Sequence, residues 1–329
     1  MRYSLPFPTD HLKSRFLQLF VGLLVVAFSI LPGKADEPEK KEVESAADEY
    51  KFMRVETNDQ DEVLALQTAI TRYELDRPGK SPVRVDLIGV IHIGDKEYYE
   101  SLERQFKFYD ALLYELVAPP EALRNGFKPD AREGGNIVSS MQLMMKDVLQ
   151  LEFQLENIDY MQKNFVHADM SPDQLFKTMK DKGETPINLF LRIVQANAAM
   201  QAQPQSKAAE MALMMTAFDA PDVRARKLKA VFAKEFIAND TFLSSFSGEQ
   251  GFSLITDRND VALEVMQREI DKGSEKIGIF YGAGHMEDMH QKLIDKYNMK
   301  PVKTVWLNAW TVQQDKVPQE KETATEKTP

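Results

Sequence analysis

Two histidines stand in matching surroundings far apart in the chain. His92 ends the tetrad Gly89-Val90-Ile91-His92, and His285 ends Gly282-Ala283-Gly284-His285. Each follows a short apolar run and precedes a stretch of helical periodicity. Imidazoles in such places take protons near neutral pH or ligate divalent metals. The match runs past the tetrads. Asp95 and Asp288 lie three residues after each His, and Glu115 and Asn308 lie 23 residues after, so every pair is displaced by 193 residues. The pattern reads as an internal duplication of one β-α-β unit.

A glycine where a parallel strand ends lets the backbone turn sharply or lets a ligand come close, and parallel sheets gather ligands at their carboxyl ends. Two crossovers related by pseudo-symmetry would aim His92 and His285 into one cleft. With Glu115 they make three nitrogen and oxygen ligands for a divalent metal with an open position. Water there, its pKa lowered toward about 7, would attack an amide or ester carbonyl. Without metal, the same groups would serve as a general base and its carboxylate orienter. A shared ion requires the three side chains to converge within about 5–6 Å, since ligand bonds are near 2 Å. The alternative is that each His caps a helix or hydrogen-bonds locally, with Glu115 paired at a strand end.

Glu115 sits inside the apolar run ALLYELV, and a buried carboxylate needs a partner. Arg258, flanked by Asp257 and Asn259 at the head of a predicted helix, is the best one. It would clamp Glu115, a substrate carboxylate or a developing oxyanion; the alternative is a surface arginine near a helix start. His167, beside Asp169 and the helix start at Ser171-Pro172-Asp173, reads as structural or as completing the site. His290 reads as lying on the exposed side of its helix.

Positioning these groups requires an α/β fold: duplicated β-α-β units in a mostly parallel sheet flanked by helices. Residues 83–93, 111–117, 276–281 and 302–309 read as buried parallel strands, being short and rich in apolar and β-branched residues. Helices are predicted over 96–108, 259–270 and 289–297, with Gly273 closing the second. Residues from about 119 to 250 read as a helical insert rich in methionine. Within it a helix over 137–165 places Met141, Met144, Met145 and Val148 on one stripe, as packing core or as a hydrophobic ligand surface. Arg224, Arg226, Lys227 and Lys229 read as the solvated face of a helix after Pro221.

Composition narrows the chemistry. The 329 residues include no cysteine, which excludes disulfides, thiol nucleophiles and cysteine-ligated metals. A net charge of −10 argues against nucleic acid as the main partner. Residues 1–35 combine a basic start, the apolar run FLQLFVGLLVVAFSIL and small residues at Gly33 and Ala35, the pattern of a cleaved signal peptide, with an uncleaved membrane anchor as the alternative. Residues 36–50 read as a charged linker, 51–312 as one folded domain and 313–329 as a polar tail.

The segments GVIHIGD, YELV, ITDRND and FYGAGHMEDM resemble the TraB/GumN/PrgY family, which includes the Tiki proteins. The resemblance covers residues 83–310, and VHADMSPDQLF resembles that family's segment before a helix. It implies a duplicated α/β fold shared with erythromycin-esterase-like and ChaN-like proteins and, for the Tiki branch, a protease dependent on manganese, cobalt or a similar divalent ion such as zinc. Carried over, His92, Glu115 and His285 are metal or catalytic positions and Arg258 a site residue; Gly89, Gly282, Asp95, His167, Asp257, Asn259 and Asn308 are secondary candidates from their places beside these residues or in the repeat. This chain has Asn308 where the repeat might offer a second carboxylate, and no Thr before His92. The expectation is an exported, metal-dependent hydrolase acting on peptides or proteins of the cell envelope. The alternatives are a non-catalytic peptide-sequestering protein and a metal-free esterase-like hydrolase. The oligomeric state is left open.

Overall fold

A computed structural model describes residues 51–118, 148–183, 214–216, 218–238 and 255–313. The proposed targeting segment, the linker over 36–50, the tail after residue 313 and the Met141–Met145 stripe all lie outside the described residues. None of the described helices is long and apolar enough to cross a membrane.

The described residues begin with strands β1 (Met53–Thr57), β2 (Val63–Leu75) and β3 (Val83–Val90), followed by the short β4 (Ile93–Gly94), helix α1 (Lys96–Phe106) and β5 (Ala111–Tyr114). Next come β6 (Glu152–Phe153), the single turn α2 (Gln154–Asn157), β7 (Phe165–His167), α3 (Pro172–Asp181) and α4 (Pro221–Ala238). The last stretch holds α5 (Thr256–Asp271), β8 (Lys276–Gly282), a 3-10 turn (Ala283–His285), α6 (Met286–Asp295) and β9 (Lys300–Thr311).

Strand β8 lies between β3 and β5 and is parallel to both, and β7 extends the sheet beyond β5, again in parallel. On the other side β2 runs antiparallel to β1, β3 and β9. Because β9 covers Ala65–Glu74 of β2, β1 and β3 share its opposite edge. Six strands of this sheet therefore point one way and β2 alone points back. The predicted fourth strand, β9, has the expected direction, but it pairs antiparallel with β2 rather than joining a parallel ladder. Strand β2 intervenes because its run from Val63 to Tyr73 is almost wholly buried, and only a central strand hides both faces.

The two faces of the sheet carry separate apolar layers. On one, Leu66, Ile70, Ile88, Leu112 and Phe280 pack with Tyr99, Leu102 and Phe106 of α1 and with Leu228 and Phe232 of α4. On the other, Tyr73, Leu87, Leu113, Ile279 and Tyr281 pack with Leu263 and Met266 of α5 and with Met286, Met289 and Leu293 of α6. Each such side chain contributes about 1.5–3 kcal/mol on full burial, which makes this α/β/α sandwich independent of covalent staples. Helix α5 ends as its sequence announces: Gly273, at φ +105°, takes the left-handed conformation, and Ser274 N–H donates to the Glu269 carbonyl.

Of the span expected as a helical insert, the described residues 148–183, 214–216 and 218–238 mix helices with short strands. The helix predicted over 137–165 is interrupted at Gln150, whose φ is +54°, and is replaced by β6, the α2 turn and β7. Phe165 and Val166 pair with Leu112 and Leu113 of β5, while the stripe that suggests the helix lies, apart from Val148, outside the described residues. The basic run after Pro221 does form a helix, α4, but Lys229 is not on a solvated face. It is buried against Asp95, Nζ to Oδ1 2.5 Å, because α4 packs over the sheet beside the start of α1.

Candidate active site

The carboxyl ends of β3, β8 and β5 are level. Val90 pairs with Gly282, Tyr114 pairs with Phe280, and Glu115 N–H donates to the Phe280 carbonyl. Three adjacent strands thus deliver His92, Glu115 and the turn bearing His285 to one edge of the sheet. Gly282 marks their meeting point. A Cβ there would lie 3.3 Å from Glu115 Oε2, 3.6 Å from His92 Nε2 and 3.7 Å from His285 Cδ2. The close approach favours glycine, as the spacing suggests.

Glu115 is held on both oxygens. Oε1 accepts from Arg258 Nη2 at 2.6 Å, and Oε2 accepts from the Gly282 N–H at 2.7 Å. The same guanidinium grips Asp169, Nε to Oδ1 2.9 Å and Nη2 to Oδ2 2.7 Å. Arg258 is therefore the partner of Glu115, and Asp169 is brought in from the segment after β7. Its neighbour Ala168 receives the Tyr281 hydroxyl. Burial opposes ionisation of Glu115, but electrostatic attraction to His285 and to the Arg258 guanidinium, and to His92 beyond them, holds its carboxyl well below the usual range. Burial likewise opposes the charge on Arg258, and the carboxylates of Glu115 and Asp169 overcome it and raise its pKa.

The histidines differ in setting. His92 is exposed and His285 is buried. His285 Nε2 stands 3.5 Å from Glu115 Oε1, and its Nδ1 lies 2.6 Å from Asn259 Oδ1. The Asn259 amide nitrogen donates to Asp288 Oδ2 at 2.7 Å and to the His285 carbonyl at 3.2 Å. That orientation makes Oδ1 the acceptor, so His285 carries its proton on Nδ1. His92 Nδ1 lies 2.8 Å from Gln154 Oε1.

Other expected positions fall elsewhere. His167 Nε2 is 2.7 Å from the Leu116 carbonyl, a brace between strand ends. Asp95 holds Lys229 and the Thr311 N–H. Asp257 pairs with Lys182 at the rim. Asn308 accepts from Gln67 on β2, two strands from β3, so it is not the counterpart of Glu115 in space. Gly89 lets β3 approach the turn after β8; a Cβ there would meet Met286 Cγ at 3.3 Å. His290 is half-buried rather than exposed, its Nδ1 2.6 Å from the Tyr73 hydroxyl. Gln154 escapes a sequence reading because a helix over 137–165 would hide it; the signal available is its place after a Gln150-Leu151 break.

Whether a divalent cation suits this place can be judged from the donors. Imidazoles whose Nδ1 faces an amide oxygen present Nε2, the arrangement of metal-ligating histidines. The 3.5 Å gap from His285 Nε2 to Glu115 Oε1 matches the edge of a tetrahedron with bonds of about 2.1 Å. One guanidinium between two carboxylates leaves an excess negative charge that a cation offsets. The donor types suit a cation, but among the described residues no group of three His, Asp or Glu side chains is placed to hold one. No protein-family model, curated protein or solved structure matches the chain. Fold and site together define a three-layer α/β protein with a histidine–carboxylate cluster at the ends of its parallel strands.

Proposed function

We propose that this chain is an exported hydrolase of peptide bonds, of the TraB/GumN/PrgY type, working through His92, Glu115 and His285. The observation that carries the reading is the meeting of these three side chains around Gly282 at adjacent strand ends. His92 and His285 would hold a divalent cation through Nε2, with Glu115 completing the set. Such an ion supplies a Lewis acid that polarises a carbonyl and lowers the pKa of water. His92 is the exposed member of the set and would meet substrate first. Arg258 holds the Glu115 carboxylate ionised and fixed in place, and Gly282 leaves room for the scissile group beside it.

The test is metal analysis of the purified protein followed by cleavage of a peptide library. His92→Ala and His285→Ala should each lose bound manganese, cobalt or zinc and lose cleavage while keeping their circular dichroism. A wild type that binds none of these ions, and whose cleavage chelators spare, overturns the metal-dependent form. A second reading, capture of a hydrophobic peptide without chemistry, draws on Met214, Met215 and Phe218, all strongly exposed. It predicts peptide affinity that survives loss of both histidines and falls with Met214→Ser.

A further inference from the structure

Gln154 reaches the site through the two-residue ladder of β4 and β6. That ladder pairs Ile93 with Phe153 and Gly94 with Glu152, so the next place in register sets Gln154 opposite His92. Gln154 N–H donates to the His92 carbonyl at 2.9 Å, and its Oε1 lies 2.8 Å from His92 Nδ1. Its Nε2 donates to the Tyr160 hydroxyl at 2.8 Å, and the residue is only 4% exposed. Asn259 treats His285 in the same manner with different atoms, its Oδ1 at the ring and its Nδ2 on the histidine carbonyl. In both cases one residue grips a histidine at its ring and at its backbone.

A carboxamide oxygen only accepts, so the ring nitrogen that faces it carries the proton. A neutral imidazole has one N–H; placing it on Nδ1 gives Nε2 the lone pair. We propose that Gln154 is the positioning residue of His92, the counterpart of Asn259 at His285, and that the two carboxamides hold both rings in the Nδ1–H tautomer, with His92 Nε2 beside Gly282 and His285 Nε2 beside Glu115. A carboxylate in either place would favour the imidazolium and add a further negative charge. A carboxamide sets the tautomer without adding charge, which suits a cleft where Glu115 and Asp169 already outnumber Arg258. The duplicated histidines are thus served by holders that are not themselves duplicated: Gln154 arrives from the insert and Asn259 from α5.

This inference rests on the cleft being the working site, but its test needs no turnover. Long-range proton–nitrogen NMR on the full chain with nitrogen-labelled histidine, at pH 8, should find His92 and His285 both protonated on Nδ1. Gln154→Leu should move His92 to the Nε2–H form and leave His285 unaltered, whereas Gln154→Glu should keep Nδ1–H and raise the His92 titration midpoint. Where peptide cleavage is measured, Gln154→Leu should lower kcat about 10–100-fold with little change in KM. Gln154→Glu should restore part of the rate with the acid limb of the pH profile moved upward. A wild-type His92 protonated on Nε2, or a folded Gln154→Leu protein with an unaltered tautomer, overturns the proposal. If Gln154→Leu does not fold, a folded Gln154→Glu protein whose neutral His92 carries its proton on Nε2 overturns it instead. Tautomers that respond as stated in a protein that cleaves nothing would refute the hydrolase and leave Gln154 as the holder of His92.

Discussion

Arg258 and Glu115 meet at 2.6 Å, Nη2 to Oε1, from elements 143 residues apart in the chain. The arginine is shared, since the same nitrogen lies 2.7 Å from Asp169 Oδ2, whose side chain is fully buried. One guanidinium therefore joins the end of β5, the segment after β7 and the head of α5. Coulombic attraction among buried groups is strong, but so is the cost of taking them from water, and the cluster is safer intact than broken.

Arg258→Met should consequently destabilise the fold by about 3–5 kcal/mol, because it strands two buried carboxylates. Adding Asp169→Asn and Glu115→Gln to it should recover much of that loss. Urea unfolding of the single and triple variants decides the matter; equal stabilities would mean that the charges do not interact as placed.

Acid should act through Glu115. Its folded pKa lies below the ordinary 4.5, so in that window the unfolded chain binds the proton first and stability rises with pH. The contribution is complete above pH 4.5 and is lost as pH falls through the folded value. Glu115→Gln should flatten this part of the stability curve, as read by urea midpoints at stepped pH. His290 follows the same sign higher up: burial depresses its pKa below 6.5, and its NMR titration midpoint should fall there too.

Gly282→Ala should separate chemistry from stability. The added methyl would stand 3.3 Å from Glu115 Oε2 and 3.6 Å from His92 Nε2, close but not overlapping, and the alanine N–H still reaches Glu115. Thermal melting should move by only a few degrees, an effect of about 1 kcal/mol, while cleavage and metal affinity fall at least about tenfold as the cleft fills. Undiminished activity would place the reacting atoms elsewhere.

The ion pair of Lys229 with Asp95 should anchor α4 to the sheet. With side chains 8% and 12% exposed, breaking it by Lys229→Met leaves Asp95 buried beside the Thr311 N–H alone, at a cost of about 3–5 kcal/mol. The double variant Lys229→Met, Asp95→Asn should be more stable than the single one. Limited proteolysis within 221–238 should quicken in the single variant.

Much of this cleft was legible before any coordinates, for local reasons. Apolar runs ending in glycine announce buried strands and sharp exits, so Gly89, His92, Gly282 and His285 were placed by their own neighbours. The charge inside ALLYELV asked for a partner, and Arg258 was the nearest chemical answer. Helix α5, its Gly273 stop and the capped start at Ser171 follow from side-chain and backbone preferences over a few residues. What crossed the sheet was not legible. The 193-residue repeat suggested Asn308 as the mate of Glu115, yet β2 enters between β9 and β3 and carries Asn308 away to Gln67. Gln154 and Asp169 belong to a segment whose apolar spacing suits a helix as well as strands, so their approach to His92 and Arg258 could not be read there. The sequence by itself determined which side chains stand at strand ends, because exits and caps depend on adjacent residues. Only the tertiary structure decided which of those ends are neighbours, because strand order depends on burying both faces of β2 and β8 at once.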